Sequence, residues 1–174
     1  MSALRLAIIP VLGILSMCGC GYHVGGKAEM MPANIHTIAV PAFANTSMRY
    51  RLTERLPAAI TREFLSRTRY RVVPDPRNAD AVLEGRVASY NSYPTIYDSN
   101  TQRASAVQIN VTIGVTLRDR TTGKVIFSRD RLDIKERYEI SVEQTAYFEE
   151  SDSALERLSH DVARTVVSAI LEKF

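Results

Sequence analysis

The chain has 174 residues, 45% of them hydrophobic, which supports one globular domain and excludes a chain too polar to bury a core. Its 22 basic and 19 acidic residues leave a net charge of only +3, and with no Trp and 7% aromatic residues there is neither a basic footprint nor a stacking platform for nucleic acid. The two cysteines, Cys18 and Cys20, sit one residue apart near the N-terminus, so no disulfide can staple the body and no thiol nucleophile lies within it.

Residues 1–19 read as a lipoprotein signal peptide. Arg5 supplies the positive start, and Leu6 to Leu15 is a mostly apolar run too short to cross a bilayer. Lipoprotein processing needs a small residue directly before the modified Cys. Gly19 provides it for Cys20, whereas bulky Met17 precedes Cys18, so Cys20 is the expected lipidation site. Metal binding is the weaker reading of this pair, because two thiols so close in sequence make a poor start on a tetrahedral ligand set. No later stretch approaches the ~18 uninterrupted apolar residues of a membrane span, so acyl chains are expected to hold a soluble body at the membrane. Gly21 rather than Asp follows the anchor, which by the sorting habit of diderm lipoproteins implies the outer membrane, at its periplasmic face. Residues 20–36, with Gly25, Gly26 and Pro32, are the expected tether, and residues 37–174 a single αβ domain.

Along that domain, Thr37 to Phe43 reads as one strand, with Pro41 tolerable only at an edge, bulge or end. Leu52, Leu56, Ile60 and Phe64 recur every fourth residue and put one apolar stripe on a helix. Pro57 falls inside it, which predicts a later start or a bend. Strands are expected over Tyr70 to Val73 and Val82 to Tyr93, the latter with Leu83, Gly85 and Val87 on one face. The strongest signal is the alternation of Val107, Ile109, Val111, Ile113, Val115 and Leu117 with polar or small residues, which demands one buried and one wet face. Thr122-Gly123 marks a hairpin turn into Val125 to Ile134, where the apolar parity shifts and a bulge would reconcile the two halves. Leu155, Leu158, Val162, Val166 and Ile170 form the stripe of a last helix, and Ser153 with Glu156 fits a capping box at its start. The expectation is an α+β fold of βαββββα order: an antiparallel-rich sheet with both helices on one face.

Residues able to do chemistry are few. His23, His36 and His160 share no local motif, and there is no nucleophile elbow, phosphate loop or H-E-x-x-H. Asp119 and Asp130 are expected to form exposed ion pairs with the neighbouring arginines at 118, 120, 129 and 131 rather than an acid-base pair. The chain therefore reads as a tethered binding protein and not an enzyme, with no cofactor beyond the covalent lipid on Cys20.

CGYH at the anchor, TIAVPAFANTS, LTERL, YRVVPDPRNADAVLEGRVASY and VTLRDRTTGKVIFS, in this order, resemble the LptE family of lipopolysaccharide-assembly lipoproteins. That resemblance implies a non-enzymatic partner of a large outer-membrane β-barrel, LptD, which it plugs and helps to assemble, assisting delivery of lipopolysaccharide to the cell surface. A polar sheet face would suit a polar barrel lumen. Because Arg pairs well with phosphate, Arg103, Arg118, Arg120 and Lys124 near the ends of the alternating strand are the candidate lipopolysaccharide contacts. The competing reading rests on TIAVPAF alone, which also resembles the first strand of secretion-channel and translocation-system lipoproteins that oligomerise or bind peptidoglycan.

Overall fold

The computed structural model describes residues 31–32, 34–97, 99, 104–140 and 144–173, with residues 144–150 in backbone only. The signal peptide, Cys20 and most of the tether lie outside the described residues. Strands β1 (Thr37–Ala39) and β2 (Ala44–Asn45) are followed by helix α1 (Leu52–Arg67) and strand β3 (Arg71–Val73). After a 3₁₀ turn come the long strands β4 (Ala81–Tyr97), β5 (Ala104–Asp119) and β6 (Val125–Glu139), then helix α2 (Gln144–Leu171). The six strands form one sheet in the order β3-β1-β4-β5-β6, with β2 also lying along β4.

The sheet is mixed, with most of its length antiparallel. β4, β5 and β6 form two long antiparallel ladders. β1 runs parallel to both β3 and β4 over two or three residues each, and β2 parallel to β4 over two. The parallel part follows from the β1-α1-β3 connection, since a crossover helix returns the chain to the end from which it started. The strand expected over residues 37–43 ends at Ala39, with β2 starting only at Ala44, and the interruption is linked to the proline inside α1. Pro41 cannot donate to a ladder. Pro57 has no N–H for the Thr53 carbonyl, and the Phe43 amide donates to that oxygen instead, at 3.0 Å. α1 therefore runs through Pro57 from Leu52 without the later start, because the orphaned carbonyl is satisfied from outside the helix.

One core fills the space between helices and sheet. Leu52, Leu56, Ile60 and Phe64 of α1, Leu155, Leu158, Val162, Val166 and Ile170 of α2, and the alternating apolar residues of β5 are all buried in it. Met31 and Ile35, at the end of the expected tether, are buried there too. The helices run parallel and are cross-linked at their polar edges: Arg51 and Arg55 donate to Asp152, Arg62 to Glu156 and Arg67 to Ser168. α2 begins at Gln144, nine residues before Ser153, so Ser153 and Glu156 stand inside the helix and form no cap. The Ser-x-x-Glu spacing is purely local, and good helix formers upstream, Ala146 and Glu149 to Glu150, let the helix propagate back through it.

The expected bulge lies in β6. Val115 is opposite Arg129 and Ile113 opposite Leu132, so β6 spends one extra residue around Asp130 and Arg131. Gly114 faces this point, and a Cβ there would sit 2.9 Å from the Asp130 carbonyl oxygen. A second close approach is at Gly85, where a Cβ would overlap the ring of the buried Phe43.

Candidate functional site

With both helices on one face, the other face of β4, β5 and β6 is open. Register puts Thr116, Thr112, Asn110 and Gln108 of β5 on it, flanked by Glu84, Ser89, Asn91 and Tyr93 of β4 and by Ser128, Asp133, Lys135 and Arg137 of β6. Its side chains are tied into short polar links. The Thr112 hydroxyl donates to Asp133 at 2.6 Å, Arg131 donates to the same carboxylate at 2.7 Å, and the Thr116 and Ser128 hydroxyls pair at 3.2 Å. The Arg131 bond, then that from Thr112, hold the Asp133 carboxyl below its ordinary pKa.

One end of this face is the β5–β6 turn, where the chain also enters from the tether. Gly123 takes φ 70°, the left-handed conformation that the tight turn requires and that glycine adopts without strain. Asp119 is buried and its Oδ1 accepts the Thr121 and Thr122 amides at 2.8 Å, while Asn34 donates to its other oxygen at 3.3 Å. These bonds, that of the Thr122 amide foremost, lower its pKa. The expected ion pairing of Asp119 with its arginine neighbours is thus corrected: a carboxylate at a turn finds backbone N–H groups closer than any flexible cation. Asp130 lies in the bulge and accepts from the Ser128 hydroxyl at 3.1 Å.

Asp80 performs the matching task immediately before β4. Its Oδ2 accepts the His36 amide at 2.9 Å and both the amide and the hydroxyl of Thr37 at 2.8 Å, and the His36 amide bond is the largest cause of its lowered pKa. Nothing in the sequence marked Asp80, because its partners are 43 and 44 residues away. A carboxylate with a lowered folded pKa contributes stability that is present above its ordinary value and lost as pH falls through the lower, folded one. Asp80→Asn is therefore expected to lower stability at pH 7 by about 1 kcal/mol, as for loss of a charged acceptor at a half-exposed site. It should also flatten the loss of stability below the ordinary Asp pKa of about 3.9. Thermal unfolding of parent and variant between pH 2 and pH 7 would measure both, and parallel curves would contradict the role assigned to Asp80.

Three of the four candidate contacts gather at this turn end. Arg118 lies on the open face with Nε 3.4 Å from Glu84, Arg120 donates its Nε to the Ala79 carbonyl at 2.6 Å, and Lys124 is exposed. Arg103 lies outside the described residues. Among the described residues no cluster of His, Cys, Asp or Glu is placed to hold a metal ion. No described helix is long and apolar enough to cross a membrane.

The arrangement is that of a half-covered sheet with a polar open face, and among the described residues of that face the charged and hydroxyl side chains are tied to one another in short links. Residues 35–170 match the family model described as "LptE: Lipopolysaccharide-assembly". The chain belongs to the LptE family. It thereby joins a non-enzymatic family of lipopolysaccharide-assembly lipoproteins of the cell envelope. Comparison with curated proteins gives no match. Among solved structures, lipoprotein B of Nitrosomonas europaea is 13% identical, covers 87% of this chain and 96% of its own, and superposes with a TM-score of 0.55. The rare lipoprotein B of Shewanella oneidensis is 9% identical over 78% of this chain and 94% of its own, with a TM-score of 0.53. The PelC dodecamer of Paraburkholderia phytofirmans is 18% identical over 80% and 93%, with a TM-score of 0.52. At these identities the likeness is one of fold, and the LptE assignment rests on the family match.

Proposed function

We propose that this LptE-family protein is anchored by a lipid on Cys20 at the periplasmic face of the outer membrane. There it partners an LptD-like β-barrel, plugs it, aids its assembly and assists delivery of lipopolysaccharide. The family match over residues 35–170 carries the reading. The open sheet face supports it, because a face of Thr, Asn, Gln and ion-paired side chains needs no apolar cover and suits a polar lumen. The test is co-purification from detergent-solubilised envelopes. One large barrel partner is expected, whereas a homo-oligomer alone, as in a secretion-channel lipoprotein, would overturn the proposal.

Anchoring makes its own prediction. Cys20→Ala should abolish lipidation and leave the precursor unprocessed, while Cys18→Ala should leave both steps intact. Mass spectrometry of the mature N-terminus decides, and an acyl group on residue 18 would contradict the assignment.

Arg103, Arg118, Arg120 and Lys124 are proposed to meet lipid phosphates. Replacing Arg118, Arg120 and Lys124 by Gln, with Arg103→Gln as a separate variant, should weaken lipopolysaccharide binding about tenfold at low salt and less at high salt. The fold should persist, exposed charges contributing little to stability. Unchanged low-salt affinity in folded protein would remove these residues from the contact.

A further inference from the structure

The end of the domain at which the chain enters from the tether carries cations across the whole width of the sheet. Strand register sets Arg71 of β3, Thr37 of β1, Ala81 of β4 and Asp119 of β5 at one level, and the Arg120 amide continues it by donating to the Asp80 carbonyl. Arg69 stands two residues before β3, and Lys124 directly before β6. Arg69, Arg71, Arg120 and Lys124 are exposed, and none of them forms an ion pair among the described residues. Arg120 donates to the Ala79 carbonyl, which leaves its charge unneutralised. The carboxylates at this level are engaged elsewhere: Asp119 is buried on the Thr121 and Thr122 amides, Asp80 accepts those of His36 and Thr37, and Asp75 is paired with Arg77. The exposed Glu172 lies to the β6 side, bordering a groove with Arg129. Val125, next to Lys124, is apolar yet 42% exposed. Complementing a helix C-terminus does not account for these cations, since Arg71 lies in a strand and Arg120 and Lys124 in the β5–β6 connection.

The anchor approaches this same end. Met31 and Ile35 are buried in the core, and Asn34, His36 and Thr37 are held by Asp119 and Asp80, so the chain is fixed to the body from Met31 onward. Met31 is eleven residues from Cys20, a length of chain that reaches about 40 Å at most. We propose that, before a barrel is engaged, this end of the body rests on the anionic phospholipid headgroups of the leaflet that holds the Cys20 lipid. Arg69, Arg71, Arg120 and Lys124 meet the phosphates, and the long strands β4 to β6 stand away from the surface. The inference rests on the reading that Cys20 is lipidated. An acyl anchor fixes the position of a body but not its orientation, and cations within a Debye length of an anionic surface supply the orienting attraction. Arg69 and Arg71 are outside the set proposed for lipopolysaccharide, so the two contacts can be tested apart.

The test uses the mature chain in two forms, lipidated and, as Cys20→Ser, free of acyl groups. The acyl-free form is co-sedimented with phosphatidylglycerol vesicles, with neutral phosphatidylcholine vesicles and with lipopolysaccharide. Binding to phosphatidylglycerol over phosphatidylcholine is expected, weakening steeply as salt rises. Arg69→Gln/Arg71→Gln should lower the phosphatidylglycerol partition coefficient about fivefold for each charge removed, and Lys135→Gln/Arg137→Gln, far along β6, should leave it unchanged. On vesicles carrying the lipidated form, phosphatidylglycerol should slow hydrogen exchange at residues 69–71 and 119–125 relative to phosphatidylcholine, and not at residues 91–97. Absence of vesicle binding, equal binding to neutral vesicles, binding confined to lipopolysaccharide, an unchanged coefficient in the folded arginine variant, or protection at the opposite end of the sheet would overturn the proposal. Hydrogen exchange of the parent protein decides even if a variant fails to fold. Mass spectrometry of the mature N-terminus reads the Cys20 assignment by itself, so failure of the surface and failure of the anchor are separately visible.

Discussion

Ile113→Asp is expected to cost about 4 kcal/mol or more, a large share of the stability of a small domain. Ile113 is fully buried in the middle of β5, between Val87 of β4 and Leu132 of β6. An Asp there exchanges apolar burial for a carboxylate with no donor in reach, and the group must either ionise in the core or pay to stay neutral. The neighbouring Thr112→Asp provides the contrast. Thr112 faces the open side and donates to Asp133, so its replacement loses that bond and sets two carboxylates side by side, at a cost of about 1 kcal/mol. Urea unfolding of the two variants measures the difference, and equal midpoints would mean that β5 does not present these faces.

Gly85→Ala is expected to cost about 2 to 3 kcal/mol although it adds a single methyl group. The added carbon would fall within the Phe43 ring, which is only 2% exposed and is held from the backbone by the Phe43 amide bond to Thr53. The ring cannot rotate into solvent, so either β4 or the β1–β2 segment must move. Phe43→Leu should relieve the clash, making the double variant more stable than the sum of the single losses by about 1 kcal/mol or more. Additive losses in a double-mutant cycle would show that the destabilisation at Gly85 arises elsewhere.

Local periodicity determined much of this protein. The faces of β5, the helical stripes of α1 and α2 and the bulge in β6 follow from which residues recur at spacings of two, three or four, because each element has to bury one side, and the turn at Thr122-Gly123 follows from its glycine. The family too is legible in short runs of sequence, and the match over residues 35–170 agrees with them. What periodicity could not supply was every feature that depends on a partner distant in the chain. Pro57 stands inside a regular helix because Phe43 takes the carbonyl it orphans. Asp80 and Asp119 serve as clamps because residues 34–37 lie against them. β1 is parallel to β4 rather than antiparallel, and α2 starts at Gln144 despite a cap signature further on. The candidate cations show the same division. Their charge is a property of the residues, but that Arg118 meets Glu84 and Arg120 the Ala79 carbonyl is set by strand register. Register joins residues tens of positions apart, so only the folded sheet decides which of them meet.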